Sequence, residues 1–260
     1  MPPKRPAELE AATEENKKFR SAIDAVADDW VCPITCELPV DPVVAEDGRT
    51  YERAAIQEHI DKKGAGLKSP MTNEAMGPRL LPSAQARSTI ETLVRTGAIS
   101  GDKAELWRSR IEEEEEVKKL RERAEGGDTG AMHRLGVYYA QGRKGLAEDL
   151  ATGFKWYKRA ADANDPCGMA AAGLCLVGGA GVQQNERLGM LFLSRAAEMG
   201  SDLAAYYLGA WYDEGAEGLP QDKAQAAYWY ERVASATHTH MTASEVERAA
   251  ERVRELRASS

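Results

Sequence analysis

Leu135-Gly136-Val137-Tyr138-Tyr139-Ala140-Gln141-Gly142 decides the reading of the C-terminal half, because its frame returns at Ala172-Gly173 and again at Leu208-Gly209. The leading glycines stand at 136, 173 and 209, spacings of 37 and 36 residues, and each is followed six residues later by another glycine, at Gly142, Gly179 and Gly215. Self-similarity at a fixed period of this size is the mark of a repeat array. In each copy a loop closes on Gly145-Leu146, Gly181-Val182 or Gly218-Leu219. Asp149, Asn185 and Asp222 then stand where a helix needs an N-cap. The second segments end in Arg159-Ala160-Ala161, Arg195-Ala196-Ala197 and Arg232-Val233-Ala234. Each copy predicts a helix hairpin.

A glycine inside a helix costs about 1 kcal/mol relative to alanine, so Gly136, Gly173 and Gly209 ask for a packing reason. The expectation is that they let the small Ala-Ala faces of the partner helices come close. Aromatic pairs Tyr138-Tyr139, Trp156-Tyr157, Trp211-Tyr212 and Trp229-Tyr230 fall in the same helices and read mainly as core. One hairpin cannot cover its own apolar face, so three must stack. These units resemble Sel-one-like repeats, relatives of the tetratricopeptide repeat, over about residues 124–236 (about 124–163, 164–200 and 201–236). The second copy departs from the pattern with Ala172 for Leu and Cys175-Leu176 for the aromatic pair, and is expected to pack more loosely. Thr242-Ala243-Ser244-Glu245 is a capping-box signature, and Val246, Ala249, Val253 and Leu256 follow on one face, predicting a helix over 241–258 that seals the stack. His238 and His240 precede it and read as a polar linker.

Toward the N-terminus, residues 101–123 are dominated by charge. Five glutamates, 112–116, precede Lys118, Lys119, Arg121 and Arg123, and Glu114 with Lys118 and Glu115 with Lys119 have the favoured order at a separation of four. This reads as a solvated connecting helix, with Val117, Leu120 and Ala124 touching the segment C-terminal to it.

Residues 29–100 have a different texture of Pro, Gly and short apolar runs. Val43-Val44-Ala45 predicts a strand, Glu46-Asp47-Gly48-Arg49 a tight turn and Thr50-Tyr51 its antiparallel return. Ile56 and Ile60 lie one turn apart on a helix that Gly64 ends, Ser69-Pro70-Met71-Thr72 reads as a loop, and Ser83 caps a last helix whose apolar face is Ile90, Leu93 and Val94. Cys32 and Cys36 invite a zinc reading. A structural zinc takes four ligands, and the Cys and His residues between 29 and 100 are Cys32, Cys36 and His59 alone, so zinc fails on the count. Cys-x-x-x-Cys spacing gives no support to a redox role either, and both cysteines read as small apolar fillers.

The order Val31-Cys32-Pro33-Ile34-Thr35-Cys36-Glu37-Leu38-Pro39-Val40-Asp41-Pro42-Val43-Val44, Asp47-Gly48-Arg49-Thr50-Tyr51-Glu52-Arg53, Ile56-Gln57-Glu58-His59-Ile60, Ser69-Pro70-Met71-Thr72, Leu81-Pro82 resembles the U-box. The resemblance implies the fold of zinc-dependent ubiquitin ligases with hydrogen bonds and ion pairs in place of metal, and no cofactor. Asp41, Pro42, Tyr51, Glu52, Arg53 and His59 are the candidates for that support. It also implies no covalent step by this chain: a U-box holds a conjugating enzyme that carries ubiquitin as a thioester and orders it for attack by a substrate lysine. The family's contact face maps onto Ile34, Cys36 and Pro70. Where the family commonly places Arg or Lys after Pro-x-Thr, this chain has Asn73. A neutral hydrogen bond of about 0.5–1.5 kcal/mol there replaces a charged one of about 1.5–3 kcal/mol, so modest activity is expected. Ser83, where the family usually has Asn, can still cap.

Residues 7–28 carry Leu9, Ala12, Asn16, Phe19, Ile23 and Val26 at alternating spacings of three and four, predicting an N-terminal helix within 1–28. It docks on its own domain or, through its heptad-like stripe, makes a homodimer. The fold class that results is mainly α: a small α+β unit joined to an α-solenoid of three hairpins with a capping helix.

Length, 260 residues, suits one large domain or two small ones, and a formal charge of −8 with no Lys/Arg run longer than two residues speaks against nucleic acid as the main partner. Neither a membrane-spanning run nor a secretory leader is legible, and four unevenly spread cysteines make no disulfide framework, which points to a reducing compartment, cytoplasmic or nuclear. The leading expectation is a ubiquitin-protein ligase whose repeats recruit a protein substrate or a chaperone-type partner. A non-catalytic adaptor, motivated by Asn73, is the second reading, and a metal or redox domain on Cys32 and Cys36 a distant third.

Overall fold

The computed structural model describes residues 29–215, 219–235 and 241–258. The helix expected within 1–28, Gly218 and the His238–His240 segment lie outside the described residues. The chain divides into two compact units, one ending at Glu112 and the other beginning at Glu113.

The N-terminal unit is built on a three-stranded antiparallel sheet of order β2-β1-β3: β1 is Pro42–Val44, β2 Thr50–Glu52 and β3 Leu81–Pro82. Val43 faces Tyr51 on one side and Pro82 on the other. Pro42 opens its strand, a place where a missing N–H is tolerated. The hairpin turn is made locally: Gly48 takes a φ of 77°, and the Asp47 carboxylate accepts from Arg49 N at 3.0 Å. Helix α1 (Arg53–Lys63) buries Ile56 and Ile60 and stops at Gly64 with φ 53°. Helix α2 (Ala84–Arg95) starts at Ser83, whose hydroxyl accepts from Ala86 N at 3.2 Å, the cap expected of this serine. The strand at Leu81–Pro82 has no signal in the sequence, because two residues carry no periodicity.

Helix α3 (Asp102–Glu125) is less solvated than its charge suggests. Its first half carries Ala104, Trp107 and Ile111 at spacings of three and four, and these pack with Leu38, Val40, Ile90, Val94 and Ile99 into one apolar cluster. Within the C-terminal unit, Val117, Leu120 and Ala124 pack with Ala131, Met132 and Leu135, the contact expected of them.

The C-terminal unit is three hairpins: α4 (Thr129–Gln141) with α5 (Leu150–Asp162), α6 (Pro166–Gly178) with α7 (Glu186–Glu198), and α8 (Asp202–Glu214) with α9 (Lys223–Ala234). Asp149, Asn185 and Asp222 accept from backbone N–H groups in their first turns, and Gly142, Gly179 and Gly215 end the first helices in the left-handed region. The last helix, α10 (Ala243–Ala258), begins in the expected capping box: Thr242 N donates to Glu245 at 2.8 Å and Glu245 N to the Thr242 hydroxyl at 3.3 Å. Ala249 and Leu256 close the core of the array.

Two expectations about the repeats change. A Cβ added at Gly136 would enter the ring of Tyr157, at Gly209 it would lie 2.9 Å from the ring of Tyr230, and at Gly173 2.8 Å from Leu193 Cγ. The three glycines therefore make room for the side chain eight residues past the second helix's cap, not for the Ala-Ala faces. Ala160 instead meets Gly168 of the next repeat. Nor is the second copy loose: the Cα of Gly189 faces Gly173 so closely that an added Cβ would lie 2.7 Å from the Gly173 carbonyl oxygen, while Met169, Ala170, Ala172, Leu176 and Val177 are all buried. Small residues on both helices substitute for the missing aromatic pair.

Candidate functional site

Two loops of the N-terminal unit share one backbone design. In Cys32-Pro33-Ile34-Thr35-Cys36-Glu37, Cys32 N donates to Glu37 O at 2.8 Å and Cys36 N to Cys32 O at 2.8 Å. In Ser69-Pro70-Met71-Thr72-Asn73-Glu74, Ser69 N donates to Glu74 O at 2.8 Å and Asn73 N to Ser69 O at 3.1 Å. The fifth residue of each, Cys36 and Asn73, lies in the left-handed region at φ 58° and 59°. Both threonine hydroxyls accept from the glutamate N–H two residues on, at 3.3 and 3.4 Å. Asparagine tolerates the left-handed region far better than a long side chain does, which gives Asn73 a backbone reason for its place besides its donor capacity.

The parallel design pairs Ile34 with Met71, and these are the exposed apolar tips, 37% and 50% accessible. Pro70, expected in the contact face, is half-buried, while Cys36 is exposed and thus no filler; Cys32, fully buried beside Val43, Tyr51 and Ile56, is one. Met71 was missed from sequence. The signal was present in the shared Pro-x-Thr frame of the two loops, which puts Met71 in register with Ile34.

Three polar knots hold these loops. In the first, the Asp47 carboxylate accepts from the Tyr51 hydroxyl at 2.7 Å, the Ser69 hydroxyl at 2.6 Å and Arg49 N, while the Ser69 oxygen accepts from Met71 N and Thr72 N, each at 3.1 Å. Burial pushes the Asp47 carboxyl up, but the bonds from Ser69, Tyr51 and Arg49 outweigh it and hold it below the ordinary carboxylate value. Burial and that neighbouring charge drive the Tyr51 hydroxyl the other way, far above its ordinary value. In the second knot, the Arg53 guanidinium forks onto Asp41 at 2.6 and 3.3 Å, and His59 Nε2 lies 2.8 Å from Lys68 O. The Asp41 pair keeps the Arg53 guanidinium above its usual range, by the hydrogen bond first.

The third knot is centred on Glu52, which is 7% exposed. Its carboxylate accepts from Val40 N at 2.9 Å and Asp41 N at 3.2 Å and takes Arg110 Nη2 at 2.6 Å, while Arg110 Nη1 reaches Glu37 at 3.1 Å and Leu38 O at 3.3 Å. Glu52 is the N-cap residue of α1 yet makes no cap bond, because its side chain is spent on Val40 N, Asp41 N and Arg110. Trp107 Nε1 donates to Pro39 O at 3.1 Å beside it. Asp47, Ser69, Arg110 and Trp107 are thus part of the support and were not among the residues chosen from sequence.

The first knot has a pH signature. A carboxyl whose folded pKa is depressed contributes stability that is present above the unfolded value, about 3.9 for Asp, and lost as pH falls through the lower folded value. Asp47→Asn is expected to cost about 1–2 kcal/mol at pH 7, and the difference from the parent should shrink in urea titrations as pH is lowered from 4 toward 3. A difference of the same size at both ends of that range would rule out the carboxylate as the hub.

Both halves of the chain have relatives among known proteins. The U-box domain model matches residues 26–96, and the Sel1 repeat model matches 129–165, 168–201 and 202–238. The chain is 42% identical over 76 residues to the WD repeat, SAM and U-box domain-containing protein 1 of Homo sapiens, which covers 29% of this chain and 14% of that one. It is 31% identical over 83 residues to U-box domain-containing protein 43 of Arabidopsis thaliana (30% and 10% of the two chains). It is 30% identical over 126 residues to the ERAD-associated E3 ubiquitin-protein ligase component HRD3A of the same plant (48% and 18%). The chain therefore spans less than a fifth of the length of these curated relatives. Among solved structures, a Sel1 repeat protein from Oxalobacter formigenes is similar at 29% identity over 54% of this chain and 98% of that one, with a TM-score of 0.44.

Proposed function

We propose, from a chain that joins a U-box to three Sel1 repeats, that the protein is a ubiquitin-protein ligase: the U-box receives a conjugating enzyme charged with ubiquitin and the repeats hold the protein to be modified. The U-box match and the ligase relatives support a ligase or adaptor role. The observation that carries the finer reading is the pair of like-folded loops that expose Ile34 and Met71. Large apolar side chains at rigid loop tips fit the small greasy centre of a protein contact. Positioning a charged conjugating enzyme for attack by a substrate lysine is the chemistry this reading assigns to that surface.

In a reaction with activating enzyme, ATP, ubiquitin and a panel of conjugating enzymes, ubiquitin chains are expected with at least one enzyme. Ile34→Ala should slow that reaction about tenfold, the worth of about 1.4 kcal/mol of half-exposed apolar contact. No chains with any member of the panel would refute the proposal. An adaptor role is the second reading, favoured by the neutral Asn73. Asn73→Arg separates the two: a weak ligase gains rate from a charged donor even after the cost of the left-handed backbone, whereas a chain that binds no conjugating enzyme stays silent.

A further inference from the structure

The end of the repeat array holds a second candidate site that the U-box chemistry does not use. A cavity of about 480 Å³ opens between the third hairpin and α10, with Tyr206, Asp213, Glu214, Tyr230, Arg248 and Glu251 among its lining residues. Tyr206 and Tyr230 meet edge to face in its wall, ring centroids 5.8 Å apart. Tyr230 is 7% exposed, its ring wedged over Gly209. Tyr230 lines the cavity and its hydroxyl bonds to no other described residue; burial first and then the charges of Asp213, Glu214 and neighbouring groups push it up to about 12.

The charges around it are unbalanced. Asp213, itself buried, holds Arg252 by a two-point ion pair at 2.5 and 2.9 Å, and Arg252 also takes Glu255 at 2.6 Å, so this cation is satisfied by carboxylates of its own chain. Arg248 bears on Glu245, at the start of α10. Glu214 and Glu251 line the same cavity and are without an ion pair among the described residues. Four carboxylates against two guanidinium groups leave the lining two charges negative, beside two tyrosine rings.

We propose that this cavity takes an arginine or lysine side chain from a basic segment of a partner protein. A cation entering there would gain the free carboxylates of Glu214 and Glu251, the Tyr230 oxygen as acceptor and the faces of the two rings, a combination that water or an anion does not use. The bidentate Asp213–Arg252 pair keeps the third hairpin and α10 in register around the opening.

The test measures the binding of the full chain to a fluorescein-labelled dodecapeptide of alternating glycine and arginine, by polarisation at physiological salt. A peptide with citrulline at every arginine position is the neutral match. The arginine peptide is expected to bind at least tenfold more tightly than the citrulline peptide. Glu214→Gln with Glu251→Gln should weaken it about tenfold, and Tyr230→Phe, which keeps the ring over Gly209, about threefold. Equal binding of the two peptides would overturn the proposal. So would an equal loss in a control carrying Glu122→Gln and Glu198→Gln, which removes the same charge outside the lining and would reduce the effect to the overall acidity of the chain. Free arginine binding as tightly as the peptide would also overturn it, because the occupant would then be a small cation and not a protein segment. The assay reads binding without ubiquitin, so its failure leaves the ligase reading untouched, and an inactive U-box leaves this one untouched.

Discussion

Glu52→Ala is expected to cost the N-terminal unit about 3 kcal/mol, the range seen when one partner of a buried, hydrogen-bonded charge pair is removed. The loss has two parts. Val40 N and Asp41 N, at 2.9 and 3.2 Å, lose their acceptor in a protein interior, and the Arg110 guanidinium loses its 2.6 Å partner while its side chain stays mostly covered. Arg110→Ala should cost less, about 1–2 kcal/mol, because Glu52 then keeps both backbone donors and the removed cation was partly solvated. The two are in contact, so the double variant should cost less than the sum of the single ones. Amide hydrogen exchange reads this locally: protection at Val40 and Asp41 should drop on the order of a hundredfold in Glu52→Ala. Unchanged protection would mean that the segment joining the first loop to β1 is held by its apolar contacts alone. Because that segment follows directly on the loop that carries Ile34, and Arg110 ties Glu52 to Glu37 at the loop's end, the same variant should also impair ubiquitin transfer by displacing the contact surface without touching it.

Glu52 illustrates how far the sequence could be read. Its membership of the support set was legible from the family pattern, but its partner was not. Arg110 is 58 residues away, in a helix so rich in charge that any one cation looks solvated. What was available and unread is the stripe Ala104, Trp107, Ile111, whose helical spacing in the first half of α3 signals a buried face and carries Arg110 with it. Asp47 was read as a turn residue, which it is, yet a turn reading uses one oxygen and leaves the other free for Tyr51 and Ser69. Long-range hydrogen bonds of this kind have no periodicity, and pairing them needs the coordinates. Caps were the opposite case. Ser83, Asp149, Asn185, Asp222 and the Thr242–Glu245 box satisfy donors within their own first turn, so the local sequence contains both partners and the structure agrees at each one. The repeat glycines fall between these limits: their equivalence was visible, but what lies opposite them depends on how two helices cross.

That crossing makes one substitution carry opposite signs at two glycines of neighbouring helices. Gly178→Ala, in the last turn of α6, places its methyl in open space and should stabilise the array by about 0.5 kcal/mol, part of the helix-propensity gain over glycine. Gly189→Ala, in α7, gains the same propensity and loses more. Its Cβ would lie 2.7 Å from the Gly173 carbonyl oxygen, 2.7 Å from Val177 Cγ2 and 3.0 Å from Val177 N, and backbone atoms cannot swing aside as a flexible side chain could. The helices must separate, at a net cost of about 2–3 kcal/mol. Gly153, its counterpart in the first copy, meets its nearest backbone atom at 3.0 Å and should lose less, and the third copy already carries a methyl there as Ala226. Thermal unfolding is the measurement: about 2–4 °C per kcal/mol for a unit of this size puts Gly189→Ala roughly 5–10 °C below the parent and Gly178→Ala slightly above it. Repeats contact only their neighbours, so the second copy is the coupling between the first and third. Separated helices there should therefore split one cooperative transition into two, and a single transition at the parent temperature would show that the glycine pair does not set the spacing of the hairpin.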